Sequence, residues 1–113
     1  TVDSALMAGA HGVVAGVGNI DPAGYVKIFN LVAAGDYKSA RVEQERLTEM
    51  FGLADVGSPE RMGRGSSAIG AFKASLKLLG IIDDARVAPP QIPLNSDEIA
   101  AILPFLRNAK LLK

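Results

Sequence analysis

A chain of 113 residues with 49% hydrophobic content is long enough for one compact core and too apolar to stay disordered. Twelve Lys plus Arg balance twelve Asp plus Glu, so no broad field exists to gather nucleic acid or anionic lipid, and neither is an expected partner. The absence of cysteine excludes a disulfide framework, a thiolate nucleophile and Cys-based zinc sites and agrees with a cytoplasmic protein, while no apolar run approaches the ~20 residues that cross a bilayer.

Val2, Leu6 and Ala10 hold helical spacing from the first residues, which, with no initiating Met, raises the expectation of a piece of a longer protein. Residues 3 to 8 are good helix formers, with Asp3 or Ser4 as a cap and Gly9 placed to end the turn. Gly12-Val13-Val14-Ala15-Gly16-Val17 is a short apolar run bounded by glycines and without polar alternation, which predicts a strand covered on both faces. Such a strand needs neighbours on both edges, and no second strand is evident in the chain. Its partners are therefore expected elsewhere.

Asp21-Pro22 predicts a helix start, with a capping carboxylate followed by proline at the first helical position. The helix runs through Tyr25, Ile28, Phe29 and Val32, and Gly35 closes it. Asp36 caps the next and longest helix, in which Tyr37, Ala40, Leu47, Met50, Phe51 and Leu53 recur at roughly helical spacing. Residues 56 to 67 read as a loop from their Gly, Ser and Pro content, and a helix resumes near Ser67 and runs to Gly80. The stretch 83 to 93 is expected to be extended because its prolines remove donors and bias the preceding residues away from the helical region. Asn95 or Ser96 starts the last helix, which Pro104 should kink or split.

Several chemical motifs have a plainer structural reading. The glycines between Gly12 and Gly18 do not give G-x-G-x-x-G, and Asp21 would oppose an anion at the following helix start. His11 is the single histidine, too little for a metal site, and no metal is expected. Arg61, Arg64 and Lys73 could gather an anion, yet Asp55 and Glu60 lie nearby. Lys73 sits among Ala71, Phe72, Ala74 and Leu76, where burial could depress its pKa, but a helical lysine more commonly snorkels to solvent.

The run Ala8-Gly9-Ala10-His11-Gly12-Val13-Val14-Ala15-Gly16-Val17-Gly18-Asn19-Ile20-Asp21-Pro22 resembles the end of the barrel in the dihydrodipicolinate synthase and N-acetylneuraminate lyase family. Ala34-Gly35-Asp36-Tyr37-Lys38-Ser39-Ala40-Arg41 resembles the family's later helices. So do Lys73 in a helix ending Leu79-Gly80-Ile81, and Arg86 followed by Pro89-Pro90 and Pro93-Leu94. The resemblance implies an α/β fold in which this mostly α-helical chain holds the last strand and helices of a (β/α)8 TIM barrel (residues 1–34) and a C-terminal helical extension (residues 35–113).

By the same resemblance the parent enzyme is a Schiff-base pyruvate-dependent aldolase or lyase, a dihydrodipicolinate synthase of lysine biosynthesis first among them. It would act on pyruvate or a related 2-keto acid and an aldehyde, as a homo-dimer or homo-tetramer without a cofactor. The Schiff-base lysine and the proton-relay tyrosine would precede Thr1, so no catalytic residue is expected in this chain. Val14, Ala15 and Gly16 match the positions beside the keto acid and are the candidate substrate-binding residues. Alternatives within the family are an N-acetylneuraminate lyase or a keto-deoxy sugar-acid aldolase or dehydratase. An alternative of another class is a non-catalytic helical interaction domain.

Overall fold

The computed structural model describes all residues, Thr1–Lys113, and the chain turns helical wherever a cap meets a run of helix formers. The helices are α1 (Val2–Met7), α2 (Pro22–Ala33), α3 (Tyr37–Met50), α4 (Arg64–Leu78), α5 (Ser96–Ala100) and α6 (Leu103–Asn108), with 3-10 turns at Gly16–Asn19 and Phe51–Asp55. Asp21 caps α2 by accepting the Gly24 N–H at 3.0 Å, with Pro22 at the first position. Asn95 caps α5 through a reciprocal box with Glu98. Pro104 sits in the first turn of α6, where its missing N–H leaves no helical bond unmade, so the last helical stretch is split as its sequence predicts.

Helix ends follow an equally local rule. After α2 the Gly35 N–H donates to Val32 O and the Asp36 N–H to Leu31 O, with Gly35 at φ 77°. After α4, Gly80 and Ile81 repeat the pattern on Lys77 and Leu76. This closure needs one left-handed residue, which glycine supplies without a Cβ clash. The turn after α6 uses the same pair of bonds, from Lys110 to Arg107 O and from Leu111 to Leu106 O, with a lysine at φ 61°.

The chain forms two compact units, Thr1–Glu49 and Met50–Lys113. In the first, α1 and the Gly16–Asn19 turn pack on α2, and Leu6, Val17, Ile20, Ile28, Ala40 and Leu47 are buried. Each large aliphatic side chain so buried contributes about 1.5–3 kcal/mol. Gly24 allows close approach of α3: a methyl there would lie 2.7 Å from Arg46 Nη2 and 2.9 Å from Leu47 Cδ2.

In the second unit the Phe51–Asp55 turn packs on α4. Ser67 ties the two, donating to Ala54 O at 2.7 Å and accepting the Gly57 N–H at 2.8 Å. Leu53, Met62, Ala71, Ala74, Ile102 and Leu106 are buried. No regular structure links α4 to α5, as the prolines of that stretch predict.

The expected strand is absent. Residues 12 to 15 carry no regular structure, Gly16–Asn19 is a 3-10 turn, and no residue of the chain is in a β-strand. Neither a TIM barrel nor a remnant of one is present, and the α/β fold class is corrected to all-α. The physical reason is the one that made the segment conspicuous: a strand is stable only as one member of a ladder, and no other segment of the chain offers an edge to it. Ala15 keeps an extended backbone at φ −111° and ψ 136°, and none of the backbone N–H groups of residues 11 to 15 makes a hydrogen bond.

Candidate functional site

The first unit carries an apolar groove of about 460 Å³ between the extended segment Val13–Ala15 and α2. Its far wall is Pro22, Tyr25, Val26 and Phe29, one face of α2 at helical spacing. Val13, Val26 and Phe29 are exposed, and Val14 is completely so. α2 is thus apolar on two faces, because Ile28 on the inner face is fully buried while Val26 and Phe29 on the outer one meet solvent. Exposed Lys27 and Asn30 are the polar residues of the helix.

The turn that leads into the groove is built by local hydrogen bonds. Asn19 Nδ2 donates to Gly16 O at 2.9 Å, and the Gly18 N–H donates to Ala15 O at 3.0 Å. A side chain at Gly18 would meet the Tyr25 ring at 3.7 Å. Burial, and then the charge of Asp21, push the Tyr25 phenol above its usual range.

Behind the groove, α2 and α3 are joined by a polar chain. Arg46 bonds Asp21 Oδ2 and Glu43 Oε1, each at 2.5 Å, and Lys27 bonds Glu43 Oε2 at 2.9 Å. Burial alone would raise Glu43, but the hydrogen bonds from Arg46 and Lys27 outweigh it and hold the carboxyl below the usual carboxylate range. The hydrogen bond to Glu43 in turn raises Arg46 against the effect of its own burial, with Asp21 adding to it. These charges are spent on one another, which suits them to holding helices together.

The substrate-binding candidates divide. Val14 and Ala15 line the groove and Gly16 does not; Gly16 instead opens the 3-10 turn. Tyr25 and Phe29 were legible only as part of the apolar stripe of the helix and Val26 was not singled out, because no local signal distinguishes the buried side of the helix from the exposed one. Lys73 donates to Arg86 O at 2.7 Å, which anchors the segment after α4. The groove contains no lysine.

Arg61 and Arg64, the other members of the suggested anion cluster, each have a carboxylate. Arg61 is paired with Glu98, and Arg64 bonds Asp55 at 2.7 Å while its guanidinium lies 5.7 Å from the Phe51 ring centre. Glu98 also accepts the Ser58 N–H at 2.9 Å and the Asn95 N–H at 2.8 Å. The Arg61 hydrogen bond, with those two backbone donors, lowers its carboxyl to about 2. His11 is exposed, and no three His, Cys, Asp or Glu side chains are grouped to hold a metal ion. No helix is long and apolar enough to cross a membrane.

Comparison with known proteins adds a family. Residues 1–108 match the model of the dihydrodipicolinate synthetase family. The chain is 31% identical over 110 residues to an uncharacterized DapA-like lyase of Rhizobium meliloti, covering 96% of this chain and 34% of that protein. It is 35% identical over 86 residues to the 4-hydroxy-tetrahydrodipicolinate synthase of Parabacteroides distasonis, covering 75% of this chain and 25% of the relative. It is 32% identical over 97 residues to the enzyme of the same name from Kineococcus radiotolerans, covering 86% and 29%. The chain thus spans about a third or less of the length of the curated relatives it matches.

Proposed function

Because this chain belongs to the dihydrodipicolinate synthetase family, we propose that it is a non-catalytic helical portion, the C-terminal one, of a carbon–carbon lyase or synthase of that family. Its role is to associate through the face formed by Val13, Val14, Val26 and Phe29. The observation that carries this is α2, apolar on its outer as well as its inner side and flanked by an extended segment with free backbone donors. Exposed apolar surface of this kind marks an interaction site.

In such an enzyme a lysine amine outside these residues condenses with the carbonyl of pyruvate or a related 2-keto acid and releases water. The protonated imine then accepts an electron pair as a methyl proton leaves or a carbon–carbon bond breaks, and the resulting enamine returns that pair to an aldehyde carbonyl carbon when a carbon–carbon bond is made. Val14, Ala15 and Gly16 would lie beside the keto acid once the chain is associated. The names of two relatives favour 4-hydroxy-tetrahydrodipicolinate synthesis over a sugar-acid reaction. A homo-dimer or homo-tetramer is the proposed assembly.

Borohydride reduction of the 113-residue chain in the presence of pyruvate, read by intact mass, tests the non-catalytic reading. The expected result is no adduct. A reduced pyruvate adduct on Lys73 or any other lysine would overturn it.

A further inference from the structure

We draw no further inference here: the strongest candidate, the apolar groove between Val13–Ala15 and the Tyr25–Phe29 stretch of α2, belongs to the site already described, and nothing in the structure shows what covers it.

Discussion

The side-chain carbonyl oxygen of Gln44 accepts the backbone N–H of Val2 at 2.8 Å, and it also accepts that of Asp3 at 3.2 Å. A residue of α3 thereby caps the start of α1, where Thr1 makes no side-chain cap bond to the helix backbone. The Gln44 amide is itself held by donation to Thr48 Oγ1 at 3.1 Å. Gln44→Ala should leave two helix donors without their acceptor and cost about 1–2 kcal/mol. Urea unfolding measures that cost, and amide exchange should show faster exchange at Val2 and Asp3. An unchanged midpoint would mean that α1 does not need the cap.

Glu98 collects one guanidinium and two backbone donors, so its charge supports the loop after Phe51–Asp55 and the start of α5 together. Its folded pKa of about 2 lies below the usual 4.5. The ionised form is therefore favoured by folding, and the stability it contributes is present above pH 4.5 and lost as pH falls toward 2. Glu98→Gln should melt lower than the parent at neutral pH, with the gap closing between pH 4.5 and 2. Thermal melts across that window check this, and a gap independent of pH would assign the loss to shape instead of charge.

Two glycines in helices should respond oppositely to alanine. Gly24→Ala places a methyl 2.7–2.9 Å from Arg46, Asp21 and Leu47, which requires α2 and α3 to shift and should cost about 1–3 kcal/mol. Gly65, in the first turn of α4, has nothing within 4 Å of the same methyl. Gly65→Ala should raise stability by about 0.4–1 kcal/mol through the unfolded chain. Denaturant midpoints of the pair decide the matter, and equal effects of the same sign would refute the packing argument.

Lys110 occupies the left-handed position that Gly35 and Gly80 hold in the turns after α2 and α4. A side chain there costs roughly 1 kcal/mol relative to glycine. Lys110→Gly should therefore raise the melting temperature, and a fall would show that the lysine side chain contributes more than its backbone strain removes.

The legible parts of this fold were those decided within a few residues. Asp21-Pro22, Asn95 with Glu98, Gly35 and Pro104 act on their own helix termini, so their chemistry can be read directly from neighbouring positions. Gly12–Val17 could not be read that way: its composition suits a covered strand, but pairing depends on edges that no other part of this chain supplies. Gln44 with Val2, Arg61 with Glu98 and Gly24 with Leu47 are pairings across 23 to 42 positions, for which local spacing carries no signal. In the candidate site, only the resemblance singled out Val14 and Ala15, as substrate-binding candidates, and the structure places both in the groove lining. Val26 escaped, and Phe29 was read only as part of the stripe with Ile28, because an amphipathic reading of α2 expects one apolar face and this helix has two.

The second, outer apolar face of α2 should govern association. Val14 is fully solvent-exposed, so Val14→Asp has no core contact to break and should leave the melting temperature of the dilute chain unchanged. If the face associates, as proposed, then the isolated chain should self-associate with rising concentration, because two copies can cover each other's valines and Phe29. Covering a valine side chain is worth about 1.5 kcal/mol or more, so the aspartate should weaken that association at least about tenfold. Sedimentation equilibrium on the two proteins measures it. Lys38→Gln, an equal charge change at an exposed position outside the groove lining, should leave association intact and so separates loss of an apolar contact from general repulsion. Association that survives Val14→Asp, or is lost equally with Lys38→Gln, would remove the Val13–Phe29 face from the proposed function.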